Sequence, residues 1–270
     1  MTELLWRMTE ERYGIKADRD DIEKLKNHLL SLGIDNETSI ENFFNSGEAA
    51  AFLTVNETYF FREPVHFYLL KEMLSFANRP NRSVIRICCA ASSYGCEAYS
   101  IAMLLDMLDK NEQTRQNYTI DAFDINPFVI ETACKGIFRQ NSLREDGSCF
   151  GYLTDHYLKK EDVSYHVGQN LKNNINFFVH NLLNELNCEY YDFIFFRNAF
   201  IYIMPECREK VLSNLCNALK ENGILIMGVS ETSAVSHLML EQKIIRLNTP
   251  KEEVFFFQKK NQKPYLGEKG

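Results

Sequence analysis

The sequence predicts an α/β fold built on a mostly parallel sheet, and three observations carry that reading. From about residue 84 onward, short apolar runs alternate with stretches of helical periodicity. Those runs are apolar throughout rather than at every second residue, as in strands covered on both faces. The first 53 residues show helical periodicity only. A chain of 270 residues has room for one large domain with a small appendage. The expected division is therefore a helical unit over 1–53 and a sheet domain over 54–270.

Each element follows from its own pattern. DRDDIEKLKNHLLSLG puts Ile22, Leu25, Leu29 and Leu32 on one helical face, with Gly33 as the stop, and SIENFFNSGEAAAFL reads as a second helix. VIRICCA (84–90) reads as a buried strand, GCEAYSIAMLLDML as a helix, YTIDAFD (118–124) as a second strand and PFVIETAC as a second helix. NINFFVHNL, YDFIFFRN, GILIMGVSE and EEVFFFQKK supply further strands, and PECREKVLSNLCNALKENG reads as a helix ending at Gly223. KIIRLNTPKEEVFFFQKK is expected to fold as a hairpin that adds an antiparallel edge strand. The polar segment at about 139–173 reads as an irregular inserted flap, and KKNQKPYLGEKG as a polar tail.

Composition excludes several function classes. A net charge of −7 and a pI near 5.5 argue against nucleic-acid partners, because such binding neutralises phosphates with Lys and Arg. Residues 1–53 hold six basic and eleven acidic side chains, so this helical unit is acidic. No apolar run approaches the roughly 20 residues that span a bilayer, and MTELLWRMTEERYG lacks the layout of a secretion signal, so a cytoplasmic location without membrane insertion is expected. The eight cysteines include no C-x-x-C pair and read as reduced core thiols. The six histidines form no H-x-x-x-H pair, so no metal is expected.

In open α/β sheets, ligands bind beyond the carboxyl ends of the strands, where strand order reverses. The loop after the first strand, CAASSYGCE, has small residues and one Gly ahead of a helix N-terminus. It reads either as a ligand loop or as an ordinary turn. Asp124 ends the second strand, where it could accept both hydroxyls of a ribose or cap the next helix. Arg197 and Asn198 follow a buried strand and demand specific partners, either a ligand or a loop carbonyl. Finally, NETYFFREP (56–64) sets Arg62 among aromatic residues. A buried Arg is costly unless it meets an anion, so Arg62 and Thr58 are assigned to a cofactor pocket.

Together, NETYFFRE, RICCAASSYGCEAYSIAMLL, DAFDINPFVIETACKGIFR, HNLL, YDFIFFRNAFIYI and GILIMGVSET closely resemble, in order and spacing, the chemotaxis receptor (CheR-type) glutamate O-methyltransferases. The resemblance runs from about residue 10 to about 258. It implies a doubly wound S-adenosylmethionine-dependent methyltransferase sheet, a small helical N-terminal domain and an inserted β-subdomain. It further implies that Asn56, Thr58 and Arg62 contact the cofactor or the reacting region, that Glu97 binds the cofactor and that Asp124 holds its ribose. Asn181 and Leu182 would line the adenine. Arg197 and Asn198 match the family's R-N pair and are assigned to the cofactor, and Tyr202 would lie near the transferred methyl.

The implied chemistry is in-line methyl transfer from S-adenosylmethionine to a glutamate carboxylate, leaving S-adenosylhomocysteine. A carboxylate with a pKa near 4.3 is already ionised at neutral pH, so no general base is needed. The enzyme's task is alignment and desolvation, with Arg62 and Tyr202 as the residues that hold the carboxylate. The implied partner is the cytoplasmic helical region of a chemoreceptor or another signalling protein. Two features depart from the family pattern. Cys96 replaces the first Glu of G-E-E-P, and the N-terminal unit is acidic where the family presents arginines. The flap segment VSYHVGQNLK has one Gly only, which speaks against binding a receptor's pentapeptide tether. The alternatives are a degenerate member that binds S-adenosylmethionine or S-adenosylhomocysteine without transfer, a different acceptor protein, and a nicotinamide dehydrogenase. The absent G-x-G-x-x-G disfavours the last of these.

Overall fold

The apolar strand runs form the centre of a seven-stranded sheet. In the computed structural model, residues 1–76, 84–112, 117–228, 231, 244–249 and 254–260 are described. The chain opens with α1 (Thr2–Met8), which widens into a π turn over Thr9–Tyr13 and stops at Gly14, φ 63°. Next come α2 (Arg19–Ser31), α3 (Glu37–Asn45) and α4 (Ala50–Leu53). Asp18 and Asp21 form a reciprocal capping box at the start of α2, and Asn36 caps α3. Ile22, Leu25 and Leu29 face inward as predicted, but Leu32 is 54% exposed. It sits at the C-cap, where the chain turns away toward Gly33. The expected single second helix is two, because Gly47 takes φ 81° between α3 and α4.

The sheet part begins with α5 (Val65–Phe76), β1 (Ile85–Ala90), α6 (Cys96–Glu112), β2 (Tyr118–Asp124) and α7 (Pro127–Lys135). It continues with β3 (Ile137–Arg139), α8 (Gly151–Tyr157), β4 (Leu158–Glu161), β5 (Ser164–Val167), α9 (Gln169–Lys172) and β6 (Ile175–Val179). The last elements are β7 (Tyr191–Phe196), α10 (Pro205–Ala218), β8 (Leu219–Met227), β9 (Ile244–Arg246) and β10 (Phe255–Lys259). Sheet order is β6-β2-β1-β7-β8-β10-β9. The first five strands in that order run parallel, while β10 pairs antiparallel with β8 and β9 antiparallel with β10. The predicted edge hairpin is thus present, although its residues 250–253 lie outside the described residues, as do 229–230 of GILIMGVSE and the tail 261–270.

Two expectations need correction. The helix PECREKVLSNLCNALKENG ends at Ala218, not at Gly223, because Leu219 turns extended (φ −70°, ψ 136°) and pairs with Tyr191. The backbone N–H of Tyr190 donates to Ala218 O at 2.9 Å, so strand pairing captures residues that a helical pattern would have continued. The segment at 139–173 is ordered rather than irregular, and it forms the inserted β-subdomain that the resemblance implies. With β3 it makes a three-stranded antiparallel sheet, ordered β3-β5-β4, and Phe138, Phe150, Leu153 and Val167 pack into the main core beside Ile87 and Phe195. No helix among the described residues is long and apolar enough to cross a membrane.

Candidate functional site

From β1 the chain builds outward one way through β2 to β6, then returns to place β7 and β8 on the other side. Strand order therefore reverses between β1 and β7, and a cleft opens beyond the carboxyl ends of these strands. The cleft encloses about 1100 Å³, counting the part open to solvent. Asn56, Thr58, Arg62, Glu97, Asp124, Asn181, Leu182, Arg197, Asn198 and Tyr202 all line it.

The loop after β1 forms the floor. Ala91 and Ser93 take φ 58° and 50°, a left-handed conformation that L-residues seldom adopt. Gly95 takes φ 82°, and a Cβ there would stand 2.8 Å from the Phe177 ring. Two anchors hold this backbone: Ser92 N donates to Phe123 O at 2.8 Å and Ser93 N to Asp124 Oδ2 at 2.9 Å. The hydroxyls of Ser92 and Ser93 are buried and lack a partner among the described residues. Asp124 also accepts Asn126 N on Oδ1 at 3.0 Å, while Asn126 itself caps α7. Asp124 therefore joins two loops as well as facing the cleft, and burial raises its pKa against these backbone donors.

The buried arginine of the site is Arg197 rather than Arg62. Arg197 Nη1 meets Glu97 Oε2 at 2.7 Å, Nη2 meets Glu63 Oε2 at 3.1 Å, and Nη2 donates to the Arg62 carbonyl at 2.7 Å. Its guanidinium, 2% exposed, spans two carboxylates and ties the loop after β7 to the loop before α5. Asn198, at φ 57°, donates Nδ2 to Glu63 Oε1 at 3.0 Å. Burial pushes the Glu97 pKa up in spite of Arg197. Burial also pushes on Glu63, but Arg197, Asn198 and His66 together outweigh it and hold that carboxyl below its usual range. His66 is depressed to about 4 by burial and by the Arg197 charge. Its two ring nitrogens approach the carbonyls of Glu63 (3.2 Å) and Met227 (3.1 Å).

Arg62 is only half-buried, which corrects the premise that placed it as a costly buried cation. Its Nη1 donates to the Glu57 carbonyl at 3.0 Å and its guanidinium lies 5.6 Å from the Tyr59 ring centre. Among the described residues it forms no ion pair, although it lines the cleft. The loop that carries it is fixed by Phe60 N to Ser142 O (2.9 Å), Phe61 N to Ser100 Oγ (2.9 Å) and Glu63 N to Asp146 Oδ2 (2.9 Å). Gly147 packs beneath this loop, and a Cβ there would fall 2.4 Å from the Phe60 carbonyl oxygen. Asn56 folds back on Thr54, donating to its hydroxyl at 3.0 Å. Thr58 lies near the Cys96 thiol, whose pKa burial drives up to about 12.

The remaining wall comes partly from the N-terminal helices. Asn181 Nδ2 donates to Arg12 O at 2.6 Å, and its Oδ1 accepts Leu183 N at 2.9 Å, so its amide is committed to joining the two parts of the chain. Tyr202 stands on a short 3₁₀ turn, Phe200–Tyr202, pinned by Lys16 N to Tyr202 O (2.8 Å) and Met204 N to Gly14 O (2.9 Å). Tyr13, Ile15, Glu63, His66, Asp146 and His180 were missed by sequence reasoning. Glu63 had a signal, since it directly follows Arg62 in FFRE, and the cost of burying Arg197 required an acid somewhere. The others carry no local pattern. His180, whose Nε2 is buried without a partner among the described residues, has its pKa lowered by burial.

Comparison with known proteins gives the same frame. Residues 56–246 match the family model described as "CheR methyltransferase, SAM binding domain". A "Chemotaxis protein methyltransferase" of Vibrio parahaemolyticus is 32% identical over 182 residues, 67% of this chain and 66% of that relative. The protein of the same description from Escherichia coli is 33% identical over 235 residues, 80% of this chain and 76% of its own. Among solved structures, the N-methyltransferase NodS of Bradyrhizobium japonicum, in complex with S-adenosyl-L-homocysteine, superposes with TM-score 0.45 at 12% identity, over 74% of this chain and 87% of that one.

Proposed function

Because the chain belongs to the CheR methyltransferase family, with an S-adenosylmethionine-binding domain over 56–246, we propose that it methylates glutamate side chains of a chemoreceptor or related signalling protein. The observation that carries this reading is Arg62, a half-buried guanidinium in the cleft with no anionic partner among the described residues. A planar, permanent cation of that kind suits a carboxylate.

The cleft also has polar atoms suited to the cofactor. Ser92 Oγ, Ser93 Oγ and His180 Nε2 are buried and unpartnered, and buried polar groups of this kind are ordinarily satisfied. These atoms, together with Asp124 and Glu97, would hold an adenosyl amino acid, whose contribution is a methyl group on a sulfonium. Asn181 is better suited to shaping the adenine wall than to bonding the base, since its amide is already engaged. The chain's own part in the reaction is to bind and orient. Arg62 grips the acceptor carboxylate, Tyr202 borders it, and Phe67 and Phe123 keep that part of the cleft apolar. Desolvation of the carboxylate then favours its attack. No proton has to move, because the acceptor is ionised at neutral pH.

The test is calorimetric titration with S-adenosylmethionine and S-adenosylhomocysteine, using NAD as control, followed by labelled-methyl transfer to chemoreceptor fragments. Micromolar binding of the adenosyl ligands and base-labile label on the fragment are expected. Binding without transfer to any acidic acceptor would leave the degenerate, ligand-sensing alternative as the better account.

A further inference from the structure

At the mouth of the cleft, one tyrosine ring carries two guanidinium groups. Arg62 Cζ lies 5.6 Å and Arg144 Cζ 4.4 Å from the Tyr59 ring centre. Tyr59 is fixed in turn, since its hydroxyl donates to Asp146 Oδ2 at 3.1 Å. The two cations differ in one respect. Among the described residues Arg62 has no carboxylate partner, whereas Arg144 Nη1 holds Glu57 Oε1 at 2.6 Å.

We propose that Arg144 is a second carboxylate site, occupied by the chain's own Glu57 until an acidic substrate displaces it. The proposal rests on the methyl-transfer reading and adds to it a substrate feature: a second acid near the glutamate that is modified. Three observations support it. The Arg144 and Glu57 side chains are 43% and 54% exposed, so the pair is exchangeable and weak by nature. Arg144 is held at its site by other contacts, the Tyr59 face and an Nε donation to Asn141 O at 3.4 Å, so its guanidinium stays in place when Glu57 leaves. Glu57 lines the cleft, and its own carbonyl accepts the hydrogen bond from Arg62, so its side chain stands where a substrate acid would arrive. A helical acceptor with a second acid one turn from the first, about 5–6 Å between Cβ atoms, is the simplest ligand that offers each guanidinium a carboxylate.

The probes are two alanine-rich helical peptides. One has a single central glutamate, and the other has a further glutamate one turn away. Their binding to the full chain is followed by fluorescence anisotropy with S-adenosylhomocysteine present. Wild type should prefer the diacid. Glu57→Gln should tighten the diacid about two- to fivefold, the range of an exposed ion pair, and leave the monoacid unchanged. Arg144→Gln should erase the preference, while Arg144→Lys, which keeps the charge but not the fork, should retain part of it. Thermal melts of all three variants serve as the folding control. An unchanged preference in Arg144→Gln, no gain in Glu57→Gln, or no binding of either peptide by wild type overturns the proposal. If the pattern holds but no methyl is transferred, the carboxylate site stands and the transfer reading fails.

Discussion

Replacing Arg197 by methionine should be among the most damaging single changes in this chain. The substitution preserves bulk but leaves the Glu63 and Glu97 carboxylates, at 3.1 and 2.7 Å from the lost guanidinium, without their counter-charge in a partly buried setting. Removing one partner of a buried ion pair costs roughly 3–5 kcal/mol, far more than the pair itself contributes. At ~2–4 °C per kcal/mol for a domain of this size, the melting temperature should fall by roughly 6–20 °C at pH 8. The pH dependence follows from the same groups. In wild type, Glu63 lies below its ordinary pKa, so it contributes stability above that value that is lost on acidification. In the variant, Glu63 rises above its unfolded value and Glu97, already raised by burial, rises further, so the folded state gains stability as pH falls through the raised pKa values. His66, released from the Arg197 charge, becomes easier to protonate and adds in the same direction. All three effects shrink the deficit in acid, so the gap between variant and wild type should narrow between pH 8 and pH 5. Differential scanning calorimetry across that range is the assay. A deficit below about 1 kcal/mol, or one that is constant with pH, would falsify the assignment of Arg197 as the charge that balances two partly buried acids.

The other expectations concern the cleft. Arg62→Ala should lower methyl transfer at saturating cofactor by about 10²–10³, the scale seen when one preorganised charge donor is lost. Its melting temperature should stay near wild type, because Arg62 makes one protein hydrogen bond and is partly exposed; wild-type-like transfer refutes its role. Asp124→Ala should both weaken adenosyl-ligand binding in calorimetry and destabilise the fold, since it removes two charge-assisted bonds, each about 1.5–3 kcal/mol, to Ser93 N and Asn126 N. Binding lost with no change in unfolding would contradict that dual part. Gly147→Ala places a Cβ 2.4 Å from the Phe60 carbonyl, so a loss of about 1–3 kcal/mol and a raised KM for the acceptor are expected in unfolding and steady-state assays.

How far the site was legible depended on where each residue stood relative to a strand end. The loop after β1, Asp124 and the Arg197–Asn198 pair were found because apolar strand runs locate their own ends, and an open parallel sheet puts its ligand there. Arg62 was singled out for the wrong physical reason. Its aromatic neighbours suggested burial, yet Phe60 and Phe61 turn into the core while Arg62 faces the cleft. Residue pattern alone gave the inserted segment as irregular because its sequence is polar on average, whereas the family motifs implied the β-subdomain that is present. Its order comes from a few apolar residues, Phe138, Phe150 and Leu153 among them, that reach the main core.

The sequence by itself determined the class of fold, the succession of strands and helices, and the short motifs that mark the family, because these depend on local periodicity and on residue identity. Only the tertiary structure decided which charges are partners. Glu63 and Glu97 stand far from Arg197 along the chain, and the β1–β7 pairing together with the loop before α5 brings them within 3.1 Å of its guanidinium. It also decided where α10 ends, since Leu219 joins the sheet beside Tyr191. Tyr13 and Ile15 reach the cleft through the Ile15–Ile203 bridge. Such contacts are set by chain topology and by the free energy of burying a charge or pairing a backbone group. No window of neighbouring residues encodes either quantity.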